Sequence, residues 1–325
     1  MSPVPQHAKH ALVPQTTDAH PVLAIDLPDL RIGIAEYDEG PTGCTVFAFD
    51  RPALVATDVR GGLPGVFMAG DGLTDAICFA GGSLYGLEAC SGVAAGLLEA
   101  SDHGVDFAQI ALVRGAILYD FGGRANAVYP DTTLGRAALS AARPGAFPTG
   151  RCGAGRNTSC GSGPAWDGAE PAGQGAAALA RGGLRIAVFV VVNALGMVHA
   201  RDGRVVRGGL DPASGARRSY VELLVAQRDP QAAPAPTLGH TTLTLVVTNA
   251  VLELAALRQL GRQVHSALSR AIQPFHTAYD GDVLFAASTG VHHETTLDAP
   301  GLGVLASELA WDAVLRAVGV EPEPR

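Results

Sequence analysis

The chain contains almost no lysine and is poor in charged and aromatic residues. Lys9 is the only lysine among 325 residues, so arginine supplies the other strongly basic side chains. Charged residues make up 17% of the chain and aromatic residues 6%. Because the net charge is −8 and no basic stripe offsets it, the composition excludes a general nucleic-acid-binding protein.

Cysteine is also scarce, and the spacing and number of the cysteines argue against a metal site and a disulfide framework. No CxxC or Cys/His spacing that would hold a metal is present, and an odd number of cysteines argues against a full disulfide framework. We therefore expect small, buried thiols in a reducing compartment. These are Cys44, Cys78, Cys90, Cys152 and Cys160.

No apolar run in the chain has the length of a membrane span. The longest runs, such as Ile186–Val192, fall far short of the roughly 20 residues that a transmembrane helix needs. The segment Met1–Val22 is rich in Pro, His and Thr and lacks the apolar run of a signal peptide. We predict a flexible arm over residues 1–29 and a cytoplasmic protein with no membrane partner.

What the chain does contain is enough apolar sequence for one large core. Hydrophobic residues make up 47% of it, and residues 30–325 read as a single α/β domain. β-Strands are predicted at Thr45–Phe49, Leu54–Asp58, Ile110–Leu118, Leu184–Asn193, Thr241–Thr248 and Val283–Ala287. Helices are predicted at Leu84–Ala100, Thr133–Ala141, Ala250–Ile272 and Val304–Val318. This mixture fits two face-to-face sheets under helical layers, although periodicity alone leaves a doubly wound sheet open.

Two connecting segments differ from the rest in composition. Gly150–Gly183 has many small residues and little apolar periodicity, which suggests a long functional loop. Asp229–Gly239 is rich in Pro and Ala and is predicted to be an exposed, mobile linker. The next strand begins two residues later, at Thr241.

Thr241 is the candidate nucleophile. A threonine that heads a strand after a flexible linker is typical of chains that cut themselves and expose an N-terminal nucleophile. Cleavage of the His240–Thr241 bond would give Thr241 a free α-amine with a pKa of about 8, which can take the proton of its own hydroxyl. The alternative is an ordinary strand with threonines in a half-exposed ladder.

Four further residues carry groups suited to amide chemistry. Asp280 and Asp282, two residues apart in extended chain, point the same way and can orient an amine or share a proton; the alternative is an Asp-Gly hairpin turn. Asn193 ends an apolar strand, where its amide can donate to an oxyanion or simply form the turn. Tyr119 is a second possible donor or a packing residue. No Gly-x-Ser-x-Gly elbow is present, so His265 and His276 do not suggest a serine triad.

Several ordered motifs together resemble the DmpA-type aminopeptidases, which are self-processing relatives of the N-terminal-nucleophile hydrolases. Within them the chain is most similar to the nylon-oligomer hydrolases (6-aminohexanoate-oligomer endohydrolases). The resemblance extends over roughly 31–318. The stretches that carry it are Tyr37–Gly43, Ala80–Ala89, Tyr119–Phe121, Ala127–Asp131, Gly173–Ala177, Thr241–Asn249, Ile272–Thr277, Asp280–Asp282 and Trp311–Leu315.

The resemblance implies a fold, a reaction and a set of site residues. The fold would be a four-layer αββα sandwich, cut between 240 and 241 into fragments that stay together as a homo-oligomer, a tetramer in the family's manner. By matching position, Thr241 is the nucleophile, and Asp280 and Asp282 are the paired acids. Asn193 lies on the oxyanion side, with Tyr119 near the same pocket. No metal or organic cofactor is implied.

Two positions depart from the family's pattern. The family's Gly-rich loop carries a lysine near the nucleophile, and Ser162 stands at that position here. Because Lys9 is the only lysine, no shift of the alignment supplies another, and nearby Arg156 cannot act as a base at neutral pH. The residue before the scissile bond is His240, where the nylon hydrolases have asparagine.

The predicted function is therefore a self-cleaving amide hydrolase acting on ω-amino-acid oligomers or small peptides. Thr241 would attack the amide carbonyl, Asn193 and Tyr119 would stabilise the oxyanion, and Asp280 and Asp282 would hold an amine. Three alternatives stay open: an aminopeptidase on short peptides, an uncut non-catalytic family member, and an acyltransferase of the ornithine acetyltransferase type.

Overall fold

The computed structural model describes residues 12–16, 20–162, 168–226 and 239–323. Apart from Gly239, the predicted Pro/Ala linker lies outside these residues. The α-helices are α1 (Glu88–Ala100), α2 (Thr132–Ser140), α3 (Tyr220–Ala226), α4 (Leu254–Ala267) and α5 (Ala299–Ala317).

The strands contribute to one continuous set of ladders and three small sheets. In chain order they are β1 (Val22–Ala24), β2 (Leu30–Tyr37), β3 (Thr42–Val59), β4 (Val66–Phe67), β5 (Gly72–Ala80), β6 (Val113–Ile117), β7 (Arg143–Pro144), β8 (Ala146–Pro148), β9 (Ser159–Cys160), β10 (Glu170–Pro171), β11 (Gln174–Arg181), β12 (Leu184–Asn193), β13 (Met197–His199), β14 (Val205–Arg207), β15 (Thr241–Ala250), β16 (Ile272–Gln273) and β17 (Val283–His292).

Three apolar cores separate four layers. One core lies between α1 and α2 and the sheet built from β2, β3, β5 and β6. A second lies between α4 and α5 and the sheet built from β12, β15 and β17. The third lies between the two sheets and contains a cluster of aromatic rings: Phe47, Phe79, Phe147, Phe189 and Phe285. Helices outside and sheets inside give the αββα order that the sequence predicts.

Strand β3 belongs to both sheets, which is why their ladders are continuous. Its first half pairs with β2, and its second half pairs with β17. Phe47 and Val55 both face the core between the sheets, whereas Val46 faces the α1/α2 core and Ala56 faces the α4/α5 core. The ladder to β5 shifts register between Ala48 and Ala53, where the strand passes from one sheet to the other.

The unit β15–α4–β17 places the candidate site residues. The two strands are parallel neighbours, with Leu243 opposite Val283, and α4 makes the crossover between them. Their amino-terminal ends therefore lie side by side. Thr241 heads the first strand, and Asp282 immediately precedes the second, so residues far apart in sequence meet at one edge.

Several predicted boundaries differ from the observed ones. The strands predicted at Thr45–Phe49 and Leu54–Asp58 are parts of the single strand β3. The segment Ala250–Ile272 is helical only from Leu254, because its first residue ends β15 and residues 251–253 lead into the helix. Within Leu84–Ala100, residues up to Leu87 form a 3-10 helix that leads into α1.

Two segments predicted to be irregular are structured. Gly150–Gly183 contains β11, an eight-residue strand without a β-branched residue. Small residues suit it because α5 packs directly on it: a Cβ at Gly175 would lie 2.2 Å from the Ala313 carbonyl oxygen. In the predicted arm, β1 pairs with β8 and Leu27 is buried, so packed structure begins before Leu30.

The prediction of small, buried thiols is confirmed, because all five cysteines are free and buried. Among the described residues, no helix combines the length and apolarity that a membrane crossing requires.

A substitution at Phe189 tests how much the core between the sheets contributes to stability. Its ring is fully buried, with centroids 5.0 Å from Phe47 and 5.1 Å from Phe147. We expect Phe189→Ala to lower the free energy of unfolding by about 3–5 kcal/mol, because it leaves a cavity between two rigid sheets. Phe107, which is 93% exposed, is the matched control. Phe107→Ala should change the free energy of unfolding by less than about 0.5 kcal/mol. Urea unfolding measures both, and equal effects would contradict the assignment of this core.

Candidate active site

Thr241 is buried at the head of β15, directly opposite Asn193 in the ladder with β12. In the intact chain its Oγ1 donates a hydrogen bond of 2.6 Å to the carbonyl oxygen of His240. The hydroxyl therefore lies against the carbonyl group of the bond that precedes it.

The same carbonyl receives a second hydrogen bond from the segment that leads into β17. The backbone N–H of Gly281 donates to the His240 oxygen over 2.7 Å, beside a backbone bridge between His240 and Asp280. A Cβ at position 281 would lie 2.7 Å from Thr241 Oγ1, so only glycine lets this N–H approach without displacing the hydroxyl. Two donors thus converge on one carbonyl oxygen, and of these the Gly281 N–H is in the position that an oxyanion donor requires.

Asp280 and Asp282 lead into β17, so the hairpin-turn interpretation is wrong. Asp280 is buried, and its Oδ2 accepts bonds from the Thr277 N–H (2.7 Å) and the Thr277 hydroxyl (2.6 Å). Burial raises the pKa of Asp280 above its ordinary value, and the nearby Asp282 charge adds to this rise. The carboxyl group therefore favours holding a proton more than a free aspartate does.

Asp282 holds the backbone next to the candidate nucleophile. Its Oδ1 accepts a 2.7 Å bond from the Thr242 N–H, and its Oδ2 accepts from both the backbone N–H (3.1 Å) and the ring Nδ1 (2.9 Å) of His276. His276 falls within the stretch Ile272–Thr277 that carries the family resemblance, but nothing in that stretch marks it as a site residue. It has a φ of 60° and reaches the site through this carboxylate.

A second histidine lies behind His276. The two ring centroids of His265 and His276 are 4.3 Å apart, and His265 Nδ1 lies 2.9 Å from Asp58 Oδ2. Burial lowers the pKa of His265 to about 4. Because it stays neutral near pH 7, His265 packs against the site without adding charge to it.

The Asn193 side chain hydrogen-bonds to backbone groups around the site and not to the His240 carbonyl oxygen. Its Nδ2 donates to the carbonyl oxygens of Tyr119 (2.9 Å) and Gly239 (3.1 Å), and its Oδ1 accepts from the Ser159 N–H (3.2 Å). In the intact chain the N–H that reaches the His240 oxygen belongs to Gly281, a backbone donor that side-chain reasoning misses. The oxyanion role of Asn193 stays a prediction.

Tyr119 lies at the same edge, with 42% of the residue exposed. The ring packs edge-on to Phe121, and a Cβ at Gly239 would lie 2.8 Å from Tyr119 Cβ. Gly239 has a φ of 97° and must be small here, so the ring and the chain before His240 fit closely together. This contact places Tyr119 beside the scissile segment; its role as a donor stays a prediction.

The two positions that depart from the family's pattern lie next to each other. Ser162 Oγ is 3.3 Å from His240 Nε2, within hydrogen-bond distance. Neither residue suggested the other in the sequence, where 78 positions separate them.

A cavity of about 1040 Å³ opens in front of these residues. Ser162, Asn193, Gly239 and His240 line it, whereas Thr241 lies behind His240 and is not among the described lining residues. Much of the remaining wall is apolar: Leu63, Pro64, Leu84, Ile117 and Pro171.

The acidic groups in the described part of the cavity wall already have partners. Asp120 forms an ion pair with Arg124 at 2.7 Å, with both side chains at most 2% exposed. Glu170 accepts two 2.7 Å bonds from Arg217, which together with the Gly208 N–H lower its pKa. No group of three or more His, Cys, Asp or Glu suited to a metal ion occurs among the described residues.

Comparisons with known proteins show which sequences and folds this chain is similar to. Residues 24–320 match the model of peptidase family S58. A 6-aminohexanoate-oligomer endohydrolase of Paenarthrobacter ureafaciens is 45% identical over 316 residues, which cover 94% of this chain and 88% of the relative.

Solved structures establish the fold at much lower identity. A β-aminopeptidase of Burkholderia sp. is 20% identical with a TM-score of 0.61, over 94% of this chain and 88% of its own. The L-aminopeptidase D-Ala-esterase/amidase of Ochrobactrum anthropi, described as a variant among the Ntn hydrolase fold, is 17% identical with a TM-score of 0.61, over 90% and 85%. The predicted fold class is confirmed.

His265 gives a prediction for acid stability. Its pKa is about 4 in the folded protein and 6.5 ordinarily, so between these values the unfolded chain binds more protons. Stability should therefore fall as the pH drops from 6.5 towards 4, by at most about 3 kcal/mol from this residue. In His265→Gln, urea unfolding over this range should depend less steeply on pH. His103→Asn, at an exposed position, should keep the parent's slope; an unchanged slope in His265→Gln would contradict the assignment.

Proposed function

The chain belongs to peptidase family S58 and is therefore an amide hydrolase, and on that premise we propose that it cuts itself before Thr241 and uses the freed threonine as its nucleophile. One observation carries the proposal. The Thr241 hydroxyl and the Gly281 N–H both hydrogen-bond to the His240 carbonyl, so nucleophile and oxyanion donor already flank the bond to be cut.

Self-cleavage takes two steps that balance without a co-reactant other than water. Thr241 Oγ1 bonds to the His240 carbonyl carbon, the C–N bond breaks, and the hydroxyl proton ends on the Thr241 nitrogen. Water then cleaves the resulting ester, which restores the hydroxyl and leaves a carboxylate on His240. The products are residues 1–240 and a fragment of residues 241–325.

The same threonine then acts on a substrate amide. Its free α-amine takes the hydroxyl proton as Oγ1 attacks, and returns it to the leaving amine. Asp282 holds the Thr242 N–H and so fixes the strand beside the amine. Asp280, whose pKa is raised by burial, provides a carboxyl group that can share a proton with this amine.

We propose that the substrates are unbranched oligoamides, cut at internal bonds. The similar Paenarthrobacter protein is a 6-aminohexanoate-oligomer endohydrolase, and the large, mainly apolar cavity here suits methylene chains. An aminopeptidase needs a free acidic group for the substrate's ammonium. Among the described acids of the cavity wall, Asp120 and Glu170 are each already paired with an arginine. Asp280 and Asp282, in this proposal, serve the Thr241 amine and its strand.

A non-catalytic role and acyl transfer lack a comparable observation. An uncut, non-catalytic role is favoured only by the absence of the family's lysine, which Ser162 replaces. Acyl transfer to added amines is a property that the geometry does not distinguish from hydrolysis. A homo-oligomer of cleaved protomers also stays a prediction.

Self-cleavage can be read from intact mass under denaturing conditions. The parent should give two fragments, the smaller of 85 residues and about 9 kDa as its share of the 33.2 kDa chain. Thr241→Ala should remain full length because it lacks the attacking hydroxyl. Thr242→Val, which changes the adjacent buried threonine and keeps the N–H that Asp282 binds, should still be cut. An uncut parent, or a cut Thr241→Ala, would refute the proposed nucleophile.

The substrate class is tested by blocking the amino end. Linear 6-aminohexanoate oligomers with free and with acetylated amino ends should be hydrolysed within a fewfold of each other, since the described acids of the cavity wall, Asp120 and Glu170, are already paired with arginines. Products are separated by chromatography, with Thr241→Ala as the inactive reference. Activity confined to oligomers or short peptides with a free amino end would favour the aminopeptidase instead.

A further inference from the structure

The contact between Ser162 and His240 joins a cavity wall to the residue that carries the scissile carbonyl. The 3.3 Å distance lies between Ser162 Oγ and the far ring nitrogen, Nε2, of His240. Both residues line the cavity, and His240 is only 8% exposed. A buried imidazole that reaches a hydroxyl is held in one orientation more firmly than a solvated one.

Ser162 follows an anchored piece of backbone. The Gly161 N–H donates to the Ala194 oxygen (3.1 Å), and the Gly161 oxygen accepts from the Gly209 N–H (3.2 Å). A Cβ at Gly161 would lie 2.3 Å from the Gly208 Cα, so these two segments are in close contact. Ala194 directly follows Asn193, which ties the serine to the same strand end that faces Thr241.

His240 is consequently fixed at several points. Gly281 binds its carbonyl oxygen, Asn193 binds the carbonyl of the preceding Gly239, and Ser162 contacts its ring. The backbone of His240 also forms a bridge with that of Asp280. The backbone contacts hold the carbonyl at its oxygen, and the ring contact resists rotation of the residue as a whole.

We propose that Ser162 is a positioning residue for self-cleavage, acting through the His240 imidazole to hold the His240 carbonyl between Thr241 Oγ1 and the Gly281 N–H. The inference rests on the proposed self-cleavage and adds to it a residue that touches no reacting atom. It also explains how two positions that differ from the family's pattern can suit each other. The pair acts on the precursor, because cleavage turns His240 into a chain end.

The experiment measures the rate at which full-length chain disappears. Labelled protein is made by cell-free translation, synthesis is stopped, and the 1–240 and 241–325 fragments are followed with time. Ser162→Ala should slow cleavage about three- to tenfold, as expected for the loss of one side-chain hydrogen bond that orients the reacting carbonyl. Ser162→Thr, which keeps the hydroxyl, should cleave within about twofold of the parent.

Coupling between the two side chains is the sharper readout. His240→Ala should slow cleavage at least as much as Ser162→Ala, and adding Ser162→Ala to it should cause no further loss. A purely structural serine would instead slow cleavage by the same factor in both backgrounds. Thermal unfolding of Ser162→Ala in the uncut Thr241→Ala background, compared with Thr241→Ala alone, checks that folding is unchanged.

The outcomes separate this inference from the proposal beneath it. If the parent is cut and Thr241→Ala is not, self-cleavage stands. Then Ser162→Ala cleaving at the parent's rate, or with an equal factor in both backgrounds, overturns the role of Ser162 alone. If the parent is never cut between 240 and 241, the proposed self-cleavage is wrong, and the role of Ser162 that depends on it is wrong as well.

Discussion

The parallel pairing of β15 with β17 is the constraint on which the site depends. It brings the head of one strand beside the head of the next, so that the Gly281 N–H reaches the His240 carbonyl and the Asp282 carboxylate accepts from the Thr242 N–H. A shift of one residue between these strands would remove both contacts and turn alternate side chains to the opposite face. The register must therefore be held firmly, and the packing around the strands provides that restraint.

Both faces of these central strands are buried, which explains how the register is held. Leu243 and Phe285 point into the core between the sheets, while Val246 and Ala286 point under α4 and α5. A slipped strand would exchange these two sets of side chains against cores of different shape. Packing on both faces therefore holds the register, because apolar burial dominates the folding free energy. The register in turn positions the two hydrogen bonds at the site.

The sequence predicts this architecture well where residues have a strong pattern and poorly where they are small. The strand Leu184–Asn193 matches its predicted bounds, whereas Gln174–Arg181 has no β-branched pattern and becomes a strand through pairing with its neighbour and contact with α5. At the site, the resemblance named Thr241 and the two aspartates, which the fold does bring together. The Gly281 N–H and the Ser162–His240 contact depend on which atoms meet across loops, and a single sequence does not contain that information.

The position of His240 links self-cleavage to the access of a substrate to the Thr241 hydroxyl. In the intact chain His240 and Gly239 line the cavity, and Thr241 lies behind them, 4% exposed. If Thr241 is the nucleophile, a substrate carbonyl can reach its hydroxyl only from the cavity side, where His240 now stands. Cleavage must then do two things at once: it creates the amine that accepts the proton, and it frees the residue that covers the hydroxyl. An intact chain would lack both the base and the path, so the uncut protein would be inactive for a geometric as well as a chemical reason.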